Sequence, residues 1–208
     1  MSKSKRLIGD LTNNRIEAFS DGIFAIAMTL LVLQISVPEI PQALVAIELP
    51  RKLLSLWPGK LLSYAVSFVL IGIYWVTHHI TFHHIKRSDP VLLWLNILFL
   101  MCVSFIPFPT SLIGQYARQQ LTVIIYSSTL GVTGLVSQLL WWYATSDHRL
   151  VDSDINPRVV SLITRRNLTP VFIYLLSIGV SFFSVDLSTA LLFVVPVLYI
   201  LPSPINRY

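Results

Sequence analysis

The feature that most constrains this chain is the length of its apolar blocks. They are longer than the core helix of a soluble protein requires. A helix that crosses the hydrocarbon core of a bilayer needs roughly 20 predominantly apolar residues. Of the 208 residues, 54% are hydrophobic and 12% charged, about half the charged share of a soluble domain. The sequence predicts an all-α integral membrane protein with six transmembrane helices. They run from about Arg15 to Val37, Leu61 to His84, Val91 to Gly114, Leu121 to Ala144, Leu168 to Val185 and Leu187 to Leu201. Pro38 and Pro41 close the first span, Pro58 precedes the second and Pro90 opens the third. Pro170 is expected near the start of the fifth, where a missing N–H costs little. Pro107 and Pro109 predict a kink late in the third span. Only Asp186 separates the last two spans, which read as a helical hairpin or as one long kinked helix.

No linker divides the chain, so residues 1–208 form one domain. The N-terminus (1–14) is polar, and MSKSKRLIGDLTNNR lacks the pattern of a cleavable signal peptide. Segment 38–60 mixes Leu44, Val45, Leu53, Leu54 and Trp57 with Glu48, Arg51 and Lys52. It is too short and too charged to span, and reads as an extracytoplasmic amphipathic loop at the membrane surface. Segment 146–167 is the most polar stretch and reads as a solvated cytoplasmic loop. The 15 Lys and Arg residues divide unevenly across six spans. Lys3, Lys5, Arg6, Arg15, Lys86, Arg87, Arg149, Arg158, Arg165, Arg166 and Arg207 share one side. Arg51, Lys52, Lys60 and Arg118 hold the other. That asymmetry predicts cytoplasmic N- and C-termini, and the membrane is expected to be the cell (inner or plasma) membrane. The asymmetry also accounts for the net charge of +5 without nucleic acid, since no basic run interleaves with exposed aromatics. The single cysteine, Cys102, excludes a disulfide framework.

The first span carries polar groups that a simple anchor does not need. It opens Arg15-Ile-Glu17-Ala-Phe19-Ser20-Asp21-Gly22. A carboxylate in the hydrocarbon costs roughly 2.5–3.5 kcal/mol on insertion scales, so it calls for a partner. Either Asp21 sits at the interface as a cap, or it anchors a packed polar cluster. At about 100° per residue, the face opposite Asp21 carries Ile23, Ile26, Leu30, Leu33 and Val37. That aliphatic stripe serves lipid contact and ordinary packing, or, if identical subunits place this helix around an axis, stacked apolar rings lining a pore. Periodicity does not choose between these.

The second span ends Tyr74-Trp75-Val-Thr77-His78-His79-Ile-Thr81-Phe82-His83-His84. His79 and His83 share a helix face at a spacing that can bind metal. No acid lies between them, and the next ligand would have to come from elsewhere. A hydrogen bond or ion pair from His78 or His79 to Asp21 explains both anomalies together, and Asn96 of the third span is a plausible further member. The competing reading is a membrane enzyme or carrier that uses His78, His79, His83, His84 and Asp21 as a metal or proton site.

These residues carry a family resemblance. Arg15-x-x-x-Phe19-Ser20-Asp21, followed by Ala25-Ile26-x-x-Thr29-Leu30-Leu31-x-Leu33, resembles the first-helix signature of the transmembrane protein 175 family. Trp75-x-x-His78-His79-x-x-Phe82 is similar to that family's second helix. Asp89-Pro-x-Leu-Leu-Trp94-Leu-Asn96-x-Leu-Phe99 and Phe105-Ile-Pro107-Phe108-Pro109-Thr110 are similar to its third. The resemblance implies a potassium-selective or potassium-preferring channel rather than an enzyme. It implies no cofactor beyond the permeant potassium ion, and a homotetramer of six-helix subunits embedded in the bilayer. It implies that the first helix lines the pore, with a constriction at Ile26, further rings at Leu30 and Leu33, and Ile23 and Ala27 beside them. It implies that Arg15, Phe19, Ser20, Asp21, Trp75, His78, His79 and Asn96 hold that helix in place.

Overall fold

The computed structural model describes residues 13–57 and 59–200. The expectations placed on Lys3, Lys5, Arg6, Pro58, Leu201 and Arg207 lie outside those residues. The described chain is helical throughout, joined by short turns and one isolated antiparallel bridge between Ile85 and Val151. The helices are α1 (Asn13–Val32), α2 (Val45–Leu56), α3 (Lys60–His84), α4 (Pro90–Phe105), α5 (Pro107–Gln115), α6 (Gln120–Thr145), α7 (Pro157–Ser181), α8 (Val185–Leu192) and α9 (Val194–Ile200).

Among the described residues, four helical stretches are long and apolar enough to cross a membrane: Gln42–His84, Pro90–Gln115, Gln120–His148 and Pro157–Ser181. The chain is thus an all-helical, multi-pass membrane protein. The first helix is not among the four, because Arg15, Glu17 and Asp21 all fall in its first half. The last apolar stretch, Val185–Ile200, is shorter than a full span.

Local chemistry sets most of the boundaries. Asp89 caps α4 by accepting the Leu92 N–H at 2.8 Å, with Pro90 as the first helical residue. The third expected span breaks at Ile106 into α4 and α5, where Pro107 and Pro109 remove amide donors. Segment 38–60 forms a short 3-10 turn (Gln42–Leu44) and then α2, none of whose residues is buried.

The fifth span departs from its expected start. The stretch 146–167 is not one loop, because α7 begins at Pro157, where the Asn156 side chain accepts the Arg158 N–H at 2.9 Å. Ile163, Arg166 and Asn167 are buried in this helix. The polar run Arg165-Arg166-Asn167 hid it from hydropathy, although Asn156-Pro157 is a regular start signal.

Pro170 is therefore interior to α7 rather than near its start. A proline there leaves the carbonyl four residues earlier, that of Arg166, without its helical donor. The Tyr199 hydroxyl of α9 donates to that carbonyl instead. A double-mutant cycle tests this account. Tyr199→Phe is expected to lower stability by about 1 kcal/mol, the net worth of one such bond. In a Pro170→Ala background the new amide serves the carbonyl, so the loss should shrink. Equal losses in both backgrounds, by thermal unfolding in detergent, would refute it.

After α7 the chain turns at Phe182 and Phe183, and Ser184 caps α8 by accepting the Leu187 N–H. Helices α7 and α8 form a hairpin, not one kinked helix. Ser188 Oγ donates to the Ser177 carbonyl at 2.6 Å across it, and Asp186 sits in the first turn of α8.

Two packed clusters lie at different levels of the bundle. One holds Phe24, Leu31, Leu70, Phe99, Tyr126 and Leu130. The other holds Ile16, Phe82, Leu92, Trp141, Val151 and Ile163. Helices α1, α3, α4, α6 and α7 contribute to both, so they form the packed middle of the subunit.

Candidate functional site

The site is built on α1. Its buried residues are Ile16, Ser20, Phe24, Ala27 and Leu31, a run of i+4 and i+3 steps that makes one face. This face packs on α3, α4 and α5. Much of the rest of the helix is exposed in the subunit. Phe19 is 58% exposed, Ile26 56%, Leu30 39% and Leu33, just past the end of α1, 73%. Ile23 is half-buried. Ala27 is 1% exposed and belongs to the subunit's own core. Its expected place beside a shared lining is therefore corrected: about 100° per residue carries it from the edge of Ile26 onto the Phe24 side.

A polar cluster fastens the buried face. Ser20 Oγ donates to the Ile16 carbonyl at 2.8 Å and accepts from Asn96 Nδ2 at 3.1 Å. The Asn96 amide oxygen then accepts from His78 Nε2 at 2.9 Å. All three side chains are buried. Aromatic rings enclose the imidazole. Phe82 stacks on it at 4.3 Å, Phe99 lies at 5.6 Å and nearly parallel, and Phe24 meets it edge-on at 5.7 Å. A hydrogen-bonded chain in such surroundings holds because each unpaired member would cost roughly 1–3 kcal/mol.

Asp21 is handled separately. The expected bond from His78 or His79 to Asp21 is absent from this arrangement. Asp21 lies one residue round from Ser20, on the exposed edge of α1, and there it accepts from Trp75 Nε1 at 2.8 Å. His79 does not touch Asp21 but stacks on Trp75, with centroids 6.2 Å apart. His78 points the other way, into the bundle. Arg15 and Phe19 are exposed and stand outside the buried cluster.

Two participants were missed in the sequence. Arg166 Nε donates to Thr77 Oγ1 at 3.0 Å, which ties α7 to α3 beside His78. Asn13 Nδ2 donates to the Ile85 carbonyl at 2.6 Å and fixes the start of α1 to the end of α3. Arg166 was hidden by its assignment to a loop. Asn13 carried no signal beyond its place ahead of an apolar run.

The four histidines do not converge. His83 is exposed, and His84 leans on Trp141 at 6.5 Å. Among the described residues, no three His, Cys, Asp or Glu side chains are grouped to hold a metal.

Comparison with known proteins gives this geometry its context. The family model described as endosomal/lysosomal potassium channel TMEM175 matches residues 15–107, which include Ser20, Asp21, Trp75, His78 and Asn96. A potassium channel of Chamaesiphon minutus is 38% identical over 192 residues, covering 91% of this chain and 94% of the relative. The chain belongs to the TMEM175 family. A potassium channel of Streptomyces collinus is 36% identical over 184 residues, 86% of each chain. The crystal structure of a lysosomal potassium-selective TMEM175 homolog from Chamaesiphon minutus superposes with a TM-score of 0.77 at 37% identity, over 89% of this chain and 94% of that one. TMEM175 proteins of this kind are named as ion channels, not enzymes. Membership therefore makes this chain a channel-class membrane protein and removes the enzyme reading of the histidines.

Proposed function

We propose that the chain is a potassium-preferring channel that works as a homotetramer, with α1 of each subunit around a central pore. The observation that carries this reading is the exposed side of α1. It runs from Asp21 at one edge, through Arg15 and Ile26, to Leu30 at the other. A helix side with such charges is costly to turn toward lipid, by roughly 2.5–3.5 kcal/mol per group. It suits an axis shared with other copies and with water.

Four copies of that side stack rings of Ile26, Leu30 and Leu33 into an apolar constriction that dewets when narrow. Such rings offer no coordinating oxygen, so hydration and ring diameter discriminate between ions. Thr29 is the one hydroxyl between Gly22 and Leu33. It is exposed and donates to the Ile26 carbonyl at 2.9 Å, leaving its oxygen lone pairs beside the apolar rings. The Ser20–Asn96–His78 chain and the Asp21–Trp75 bond hold each pore helix against α3 and α4.

Each subunit then has six spans: α1, α3, α4 with α5, α6, α7, and α8 with α9. The end of the bundle that bears Lys86, Arg87, Arg149 and Arg158 faces the cytoplasm, and Arg51, Lys52, Lys60 and Arg118 lie outside. The membrane is the cell membrane. No cofactor is required, since the ion itself is the cargo.

Reconstitution into liposomes with an outward potassium gradient tests the function. Potassium flux is expected, with a marked fall when sodium replaces potassium. Absence of flux from correctly assembled protein would overturn the channel reading, and equal sodium flux would overturn the preference. Native mass measurement of the detergent complex should give four subunits.

A further inference from the structure

Among the described residues, helix α2 is the one long element outside the bundle. None of its residues is buried, and the turn Gln42–Leu44 that leads into it is its main neighbour. Its residues are sorted by face. At about 100° per residue, Glu48, Arg51, Lys52 and Ser55 fall on one arc. Ala46, Leu49, Pro50, Leu53 and Leu54 fall on the other, with Trp57 continuing that arc past the helix end. Ile47 and Leu54, at the border of the apolar arc, are 70% and 75% exposed, and Trp57 is 61% exposed. The subunit covers this surface only in part: Leu49 and Leu56 are half-buried, and the rest of the arc is exposed.

We propose that α2 lies in the outer headgroup region of the bilayer, apolar arc down, and transmits the state of that leaflet to the pore helix. The occupant of the apolar arc is lipid, on two grounds. The chain passes from α2 to α3 within Trp57–Gly59, and α3 is a spanning helix that starts at Lys60. α2 therefore sits at the plane where that span meets water. The charges also match. Arg51, Lys52 and Lys60 suit headgroup phosphates, and the Lys52–Glu48 pair at 3.4 Å still leaves Arg51 exposed. Twelve residues make about 18 Å of helix, too short to cross roughly 30 Å.

The helix is also tied to its neighbours. Lys52 Nζ of α2 donates to the Glu39 carbonyl at 2.8 Å, and just beyond α2 the first residue of α3, Lys60, donates through Nζ to Ser36 Oγ at 2.8 Å. Both acceptors lie in the connector that follows α1. At the far end, a Cβ on Gly59 would sit 2.7 Å from the Gly114 carbonyl oxygen, so only glycine lets the α2–α3 joint seat on α5. One end of α2 is seated on the bundle and its body is bonded to the chain leaving the pore helix. Tilting α2 with the leaflet therefore pulls on the outer end of α1.

The coupling rests on the proposed pore; the membrane position does not. In full-length protein with Cys102→Ser, nitroxide labels are placed at Leu54→Cys and Arg51→Cys. The labelled protein is reconstituted in phosphatidylcholine–phosphatidylglycerol vesicles. The label at 54 is expected to collide with oxygen and to lose collisions with a water-soluble nickel chelate, and the label at 51 to keep them. Nickel access at both sites (a helix in water), or exclusion of both reagents at 54 (a helix covered by a second copy), would overturn the position. This readout needs no ion flux, so it stands even if the pore assignment fails. For the coupling, potassium flux in vesicles of short and long acyl chain is compared between the unmodified protein and Ile47→Ser with Leu54→Ser. Loss of the chain-length response in the variant supports it. An unchanged response, or none in the unmodified protein, overturns it.

Discussion

Ile26→Asn is expected to raise sodium flux relative to potassium by about tenfold or more while the tetramer assembles normally. The side chain is 56% exposed in the subunit, so its exchange removes little intrasubunit packing. Exposed substitutions of this kind shift stability by only about 0.5 kcal/mol. Four amides in place of four aliphatic side chains wet the constriction. A barrier lowered by about 1.4 kcal/mol is already a tenfold change in rate, and the barrier for sodium, the more strongly hydrated ion, should fall further. Sodium and potassium fluxes measured on the same vesicle preparation, with subunit number checked in parallel, decide the matter. Unchanged fluxes would take Ile26 out of the pore.

The second large effect is expected at Asn96. Asn96→Ala leaves His78 Nε2 without its acceptor in a buried, aromatic setting and takes a donor from Ser20, which keeps its bond to the Ile16 carbonyl. An orphaned group costs roughly 1–3 kcal/mol in soluble proteins, and side-chain bonds in membrane bundles average nearer 0.6 kcal/mol. A loss of about 2 kcal/mol is expected, read as a lower unfolding temperature in detergent. Asp21→Ala should behave differently. Its carboxylate is exposed and bonds only the Trp75 indole at the edge of the subunit. Its removal should spare subunit stability and reduce the yield of tetramer. If Asn96→Ala melts with the unmodified protein, the buried chain does not hold α1. If Asp21→Ala assembles in full yield, the edge bond has no part in assembly.

These two residues also show how far the sequence could be read. Ser20, Asp21, His78 and Asn96 were singled out because polar groups in apolar spans need partners. The pairing was not legible. Which face a residue presents follows from periodicity, but which neighbour meets it depends on how α1 is rotated against α3. A rotation of one residue's worth sends Ser20 inward and Asp21 to the edge. The same rotation placed Ala27 inside the core. Helix α7 was misread for a different reason. Hydropathy penalises Arg165, Arg166 and Asn167, yet Arg166 is buried because Thr77 accepts from it and its aliphatic stem packs. Proline was read correctly at Pro90, which opens α4, and as a kink at Pro107 and Pro109, where the span breaks into α4 and α5, and wrongly at Pro170, where Tyr199 replaces the missing donor.

The charges at the start of α1 also bear on how the protein is made. Arg15, Glu17 and Asp21 keep that helix off the set of helices apolar enough to enter a membrane alone. Its polar groups find their partners on Trp75 and Asn96, which are synthesised later. The polar groups of α1 therefore gain these partners only after α3 and α4 have been made. The bonds that seat α1 on α3 and α4 thus make the order of synthesis a condition for satisfying its polar groups.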